Sequence, residues 1–366
     1  MSVESAGAIS NFVSLAPDVL EAILQAGASA PSGDNLQPWR FSSRGEALFI
    51  HHDVTKDTSL YNVRGLASFI ALGAALENIA IAASSHGYRA DVTYSSDEHP
   101  DAVAQVKFSN SGEYDPLARV IPARCVNRKP YVNHPLAPDL ISKLNEEARR
   151  FPRVEVRWIE DPIERKVLSK LVMQADRLLF ENPHLHKQLF SCLRWTSEEV
   201  ENTRDGLPVA TLELGKLGAQ AFHFLQSWRL VARLNRLGFS SLAAGRSGQL
   251  IRKSAAIGLV TVKEISTQAF VDGGRAFERL WLNATFQGLS FQPMTGFLFL
   301  QLRGILGDHE GLTQEQLELL ASLREQLGLI FELGRSQVPA MMFRIGRSSS
   351  PTARTVRRSV AELFAG

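Results

Sequence analysis

Cysteine is scarce: the 366-residue chain holds two, Cys125 and Cys192, far apart and in no CxxC pair. That count excludes a disulfide scaffold and a structural zinc site, and a reducing, intracellular setting is expected. An excess of one charge is also missing. Forty Lys and Arg stand against 38 Asp and Glu, a formal net charge of +2, so the whole-chain balance gives no argument for a nucleic-acid partner. There is no GxSxG nucleophile elbow, no GxxxxGK[ST] phosphate loop and no GxGxxG dinucleotide turn. Long apolar runs are absent too. The stretch 69–83 is broken by Glu77 and Asn78, and 297–302 falls far below the roughly 20 residues that a bilayer requires. The first residues carry Glu4 and no basic n-region, so no secretory signal is expected. The chain reads as soluble and cytoplasmic.

What is present is repetition. Leu15-Ala16-Pro17-Asp18 recurs as Leu136-Ala137-Pro138-Asp139, and each copy opens an amphipathic segment that closes at Pro31 or Pro152. Pro followed by Asp at a helix start is a strong beginning signal. Further along, 73–87 (GAALENIAIAASSHG) matches 274–288 (GRAFERLWLNATFQG) at Gly, Ala, Glu, Ala and Gly. Both copies read as buried helices closed by Gly at C′. Two matches in the same order predict a duplication, with halves at 1–120 and 121–366. Strand-like runs accompany each half: ALFIHH and DVTY in the first, VEVRWI, AIGLVTV and AMMFRIG in the second. The second half is longer because of an insertion at about 162–252, helical in pattern, in which the run 214–237 reads as one amphipathic helix. From 214 to 262 there are seven basic residues and no acid. Arg229, Arg233 and Arg236 share one helical stripe, which reads as a solvated face or as a docking surface for an acidic partner, an anionic membrane or a phosphorylated dinucleotide.

The segment with chemical content is Ala30-Pro31-Ser32-Gly33-Asp34-Asn35-Leu36-Gln37-Pro38-Trp39-Arg40-Phe41, directly after the first repeated helix. Its first half gathers backbone N–H groups, a hydroxyl and an amide into one turn, suited to a planar heteroaromatic ligand or a ribityl chain. As an anonymous loop it would be an Asx-turn linking helix to strand. His184 and His186 stand two apart, share no helix face, and are expected at the surface, and no metal site is expected. His51 and His52, in strand-like sequence, form no ligand pair either.

The 30–41 segment resembles the A-P-S-x-x-N-x-Q-P-W-x-F stretch of the nitroreductase superfamily of FMN-dependent oxidoreductases, with every fixed position filled. Arg124-Cys-Val-Asn-Arg128, Pro293-Met-Thr-Gly296 and the basic tail at Arg354, Arg357 and Arg358 match weaker marks of that family. The resemblance covers both ends of the chain and leaves the insertion outside. It implies an α+β, nitroreductase-like FMN-binding fold: two fused half-repeats with mixed sheets flanked by helices. Family dimers hold FMN between subunits, one giving the Pro-Ser-x-x-Asn turn and the other the phosphate-binding arginines. Here the first half has the turn, with Asn11 to Ser14 before its helix, while the second has Arg124 and Arg128 but Arg-Phe-Pro-Arg in place of the turn. The expectation is a single-chain pseudo-dimer with one FMN, its insertion forming a lid, monomeric or loosely dimeric.

By that resemblance the cofactor-binding residues are Pro31, Ser32, Gly33, Asn35 and Gln37 in the loop, Arg124, Arg128, Arg357 and Arg358 at the phosphate, and Thr295 and Gly296 near flavin N5. Val126 stands where a Ser is common, and Asp34 sets a carboxylate beside the site. No protein acid–base residue is required, because the cofactor carries the electrons. The implied activity is hydride transfer from NAD(P)H through the flavin to a nitro-aromatic, quinone or related acceptor. The alternative is a protein that sequesters FMN under the lid with little turnover.

Overall fold

The computed structural model describes residues 12–94, 101–132 and 134–365. Glu4 and Asn11 lie outside them. In the first half, α1 (Pro17–Ala28) leads through a short turn to β1 (Trp39–Arg44) and β2 (Ala47–His52). The long α2 (Leu66–Ser84) follows, then β3 (Arg89–Tyr94) and β4 (Ala102–Ser109). The second half opens with α3 (Leu140–Arg149) and β5 (Val154–Ile159). A run of helices then extends through α4 (Pro162–Glu181), α5 (Pro183–Ser191), α6 (Ser197–Thr203), α7 (Gly215–Phe224), α8 (Trp228–Asn235) and α9 (Phe239–Arg252), with the two-residue strands β6 (Leu193–Arg194) and β7 (Leu207–Pro208) between. β8 (Ala256–Val262), α10 (Thr267–Phe286), β9 (Ser290–Pro293), α11 (Gly296–Ile305), α12 (Gln314–Ile330) and β10 (Val338–Gly346) complete that half. The tail ends in α13 (Val360–Leu363) and β11 (Phe364–Ala365).

The fold is α+β, with two separate sheets flanked by helices. One runs β11-β1-β2-β4-β3 and the other β5-β8-β10-β9. β11 is parallel to β1, whereas β1–β2, β2–β4 and β3–β4 are antiparallel. The tail therefore leaves the second sheet after β10 and adds an edge strand to the first, carrying residues 347–363 across between them. All five strand-like runs read from the sequence lie within strands. β1, β4, β9 and the two-residue strands β6, β7 and β11 were not foreseen. β1 starts inside the 30–41 segment and runs past its end, and β9 is only four residues long.

α2 and α10 are the matched helices, and they pack on each other more extensively than any other pair. All but three of the nineteen residues of α2 are buried. Val63–Ser84 is the one stretch among the described residues long and apolar enough to cross a membrane, and 83% of its most apolar window is buried inside the fold. A helix apolar all round belongs in a core. The crossing is reciprocal: a Cβ at Gly73 would overlap the carbonyl oxygen of Val271, and one at Gly274 would overlap the carbonyl oxygen of Ile70. Each glycine thus meets the residue three before its counterpart, as in a two-fold interface. The C-terminal closures match as well. Gly87 and Gly288 both have positive φ, and the next N–H bonds back to Ala83 and Ala284, at 3.1 and 2.8 Å. Gly288 stands at C′; Gly87 stands one residue later.

Two expectations need correction. The run 214–237 is not one helix: it breaks between α7 and α8, where Ser227 is extended and begins the second helix. His186 is not at the surface. It is 2% exposed, its Nε2 is 2.8 Å from the Leu225 carbonyl, and its ring packs on Phe190 and Trp228. The two-residue spacing from exposed His184 turns it to the inner face.

Gly274→Val is expected to lower unfolding stability by about 3 kcal/mol or more, because backbone cannot yield as a side chain can. Gly245→Ala, in α9 with open space around it, should be neutral or stabilising by roughly 0.5–1 kcal/mol. Urea denaturation of both variants checks this; equal stabilities would refute the close crossing.

Candidate functional site

The loop between α1 and β1 follows an uncommon backbone path. Asp34 (φ 47°), Asn35 (φ 59°) and Gln37 (φ 53°) are all left-handed. Asp and Asn tolerate this conformation, but Gln must be held in it. Ser32 Oγ accepts from the Gln37 N–H at 2.9 Å. The Gln37 amide donates to the Arg204 carbonyl at 2.7 Å, and its oxygen accepts the Arg358 N–H at 2.8 Å. The Arg358 guanidinium also donates to the Gln37 carbonyl. Asn35 donates to the carbonyls of Gly206 (3.1 Å) and Val356 (3.0 Å) and accepts from Arg357 at 2.6 Å. The loop is thereby tied to both the insertion and the tail.

These segments enclose a cavity of about 510 Å³, within the usual range for a small-molecule or cofactor site. Pro31, Ser32, Gly33 and Asn35 line it from the loop, Arg124 and Arg128 from the second half, Thr295 and Gly296 from the start of α11, and Arg357 from the tail. Gln37 and Arg358 do not line it; fully and largely buried behind the wall, they clamp the loop. Asn35 reaches the cavity, but its amide is spent on holding Arg357 and two carbonyls. Trp39 is fully buried in the first-half core.

One part of the lining is cationic. Arg124 pairs with buried Glu278 at 3.0 Å, donates to the Ser29 carbonyl at 2.6 Å and lies 4.5 Å over the Trp281 ring. Arg128 donates to the Thr211 carbonyl at 3.3 Å. Neither Arg128 nor Arg357 makes a direct ion pair with a carboxylate of the described residues, though Asp34 attracts Arg128 and Glu278 attracts Arg357 from a greater distance. Burial holds the Arg128 guanidinium below its ordinary pKa, and burial with the neighbouring Arg124 brings Arg357 down to about 9. Both stay charged at neutral pH, in surroundings that a bound anion would relieve. Burial pushes the Glu278 carboxyl up to about 7, so it is a weak counter-ion for this group.

Another part is acidic. Burial and the nearby Asp57 raise Asp34 to about 6, and burial raises Asp176 of α4 to about 6. Tyr61, raised by burial and by both carboxylates, lines the cavity beside Gly296, whose added Cβ would stand 3.3 Å from its ring. Neither Tyr61 nor Asp176 was signalled by any sequence pattern. The insertion also supplies an apolar wall that includes Val172, Leu178, Leu185 and Leu250. α11 begins at the cavity with no side-chain cap on its first N–H groups.

The corresponding place in the second half is a smaller pocket of about 380 Å³, lined by Arg150, Phe151, Pro152 and Arg153 where the first half has its loop. Its guanidiniums are already neutralised. Arg275 and Arg279 each pair with Glu77 at 2.8 Å. Arg279 also pairs with Asp115 (2.7 Å) and Glu147 (2.6 Å), Arg150 with Glu147 (3.1 Å) and Arg153 with Asp272 (3.1 Å). Burial alone would raise Glu77, but Arg275 and Arg279 hold it below the ordinary range. Its counterpart Glu278, which makes one ion pair, with Arg124, goes the other way. Among the described residues no group of three or more His, Cys, Asp or Glu is placed to hold a metal ion.

No protein-family model matches the chain. An uncharacterized protein of Mycobacterium tuberculosis (strain CDC 1551 / Oshkosh), MT1398, is 28% identical over 355 residues, covering 93% of this chain and 48% of that protein. The chain thus spans about half the length of this relative. Among solved structures, the FMN-dependent nitroreductase NfnB of Mycobacterium smegmatis, in complex with NADPH, is similar with 11% identity and a TM-score of 0.39, over 67% of this chain and 94% of that one. A nitroreductase-like family protein of Bacillus cereus gives 15% identity and a TM-score of 0.37, over 68% and 94%. A nitroreductase with bound FMN from Desulfitobacterium hafniense DCB-2 gives 13% and 0.36, over 67% and 95%.

Asp176 yields a pH test. Its pKa rises from 3.8 unfolded to about 6 folded, so the folded state binds the extra proton between those values and stability falls as pH rises through that window. Asp176→Asn should remove that fall and raise stability at pH near 7.5 by on the order of 1 kcal/mol, allowing for water in the cavity. Unfolding midpoints at pH 4.5 and 7.5 measure it; an unchanged pH dependence would contradict the burial of this carboxyl.

Proposed function

We propose that the chain is an FMN-dependent oxidoreductase of nitroreductase type, passing hydride from NADH or NADPH to a small ring-bearing acceptor such as a quinone or nitro-aromatic. The observation that carries this reading is the convergence on one cavity of the strained Pro31–Asn35 loop of one half and the arginines of the other half and the tail.

The donor set fits FMN. Two guanidiniums in no direct ion pair with a carboxylate suit a dianionic phosphate, which they bind without risk of losing their protons. Arg128 and Arg357 take that role here, with Arg124 beside them and Asn35 fixing Arg357. The Ser32 hydroxyl keeps its proton to donate. The uncapped N–H groups at the start of α11 favour negative charge, and the absence of a side chain at Gly296 leaves room between that backbone and Tyr61. When bound, FMN supplies the two-electron chemistry. The apolar wall from α4, α5 and α9 excludes water and accepts a flat apolar ring. Asp34, close to neutrality near pH 6, adds little fixed negative charge below that pH and more above it.

The reciprocal Gly73–Gly274 crossing, the paired helix endings and the smaller second pocket together support a pseudo-dimer: two half-sites, one retained and one closed by ion pairs. One FMN per chain follows.

Anaerobic mixing of the flavin-loaded protein with NADH or NADPH tests the activity. The yellow absorbance should bleach with at least one nucleotide and return on addition of menadione. Persistence of the oxidised spectrum with both would sink the oxidoreductase reading and favour a protein that sequesters FMN.

A further inference from the structure

The insertion presents a second surface, whose exposed apolar side chains do not line the cavity. α7 has no buried residue, and α8 buries only Val231. Thirteen large hydrophobic side chains are exposed among the described residues, and five of them fall between 217 and 242: Leu217 (83% exposed), Phe224 (70%), Leu230, Leu237 (86%) and Leu242 (78%). Leu217 and Phe224 are seven apart on one face of α7. Such a concentration of exposed apolar side chains marks an interaction surface.

The same stretch is uniformly positive. Lys216, Arg229, Arg233 and Arg236 are exposed, and none is ion-paired to a described residue. The run 214–262 contains no acid to neutralise them. Two other cations are committed elsewhere: Arg246 donates to the carbonyls of Leu212 and Glu213, and Arg252 to Ser169. Leu217 and Phe224 protrude from α7, Leu230 from α8, Leu237 from the turn that follows it and Leu242 from α9, and none of them lines either cavity described above. Protruding apolar side chains among unpaired long cations match a fluid, negatively charged surface better than a shaped protein partner.

We propose that the α7–α9 face of the insertion docks on an anionic lipid bilayer, its cations meeting headgroup phosphates and its exposed Leu and Phe side chains entering the headgroup boundary. Further along α9, Ser247 and Leu250 line the cavity. Docking therefore places one wall of the cavity next to the membrane. This inference does not depend on which cofactor the cavity holds.

Flotation of the full chain with vesicles tests it, comparing phosphatidylcholine alone with phosphatidylcholine and phosphatidylglycerol at three to one. Binding to the anionic vesicles should exceed that to the neutral ones by about tenfold or more and weaken as salt is raised. The triple variant Arg229→Glu, Arg233→Glu, Arg236→Glu should lose it, and Leu217→Ser with Leu237→Ser should lower it severalfold. These side chains are exposed, so both variants should melt as the unaltered chain does. No excess on anionic vesicles at low salt, or full binding by either variant, would overturn the proposal. Retention by soluble polyglutamate without vesicle binding would overturn it in favour of an acidic protein partner.

Discussion

The structure depends on one contact: α2 and α10 cross so closely at Gly73 and Gly274 that either helix would clash with its partner's backbone if it carried a side chain there. Because the two helices are the matched copies, this contact sets the relation between the halves. It also merges their cores, since Val271 and Leu282 of α10 pack with the first-half cluster while Leu66 and Ile70 of α2 pack with the second. The first sheet completes itself with β11 from the far end of the chain. Neither half has a complete core alone, and the tail that joins them brings Arg357 to the cavity.

A near-symmetric frame makes the asymmetry informative. Glu77 and Glu278 occupy equivalent positions on the crossing helices. Glu77 meets two arginines and is held ionised, within a network that also takes in Asp115 and Glu147. Glu278 makes a single ion pair, with Arg124, and burial raises it to about 7 against the attraction of Arg124 and Arg357. The first arrangement uses its charge internally and fills space; the second leaves a cavity with surplus positive charge.

Much of this was legible in the sequence, and the failures have physical causes. Repeated helix starts, matched glycines and strand-like runs reported local periodicity and turn chemistry, which are properties of short segments. The 30–41 segment likewise reported a loop with demanding backbone geometry. What escaped depends on distant residues. Gln37 and Arg358, expected in the cavity, stand behind it because the tail returns to the loop. Tyr61, in the connection between β2 and α2, and Asp176, in α4, lie in segments with no motif and reach the cavity only through tertiary packing. β1 was masked by the loop motif that overlaps it. The break at Ser227 is a single extended residue inside an otherwise helical pattern.

The central claim is that the arginines of the second half hold the anionic end of the cofactor bound by the loop of the first. Titration of FMN into apoprotein, comparing the unaltered chain with Arg128→Ala, measures it most directly. A loss of about 2–4 kcal/mol in binding free energy, roughly 30- to 1,000-fold in Kd, is expected for removal of a charge-paired phosphate contact. Equal affinity for the two proteins, with both folded, would contradict the shared site.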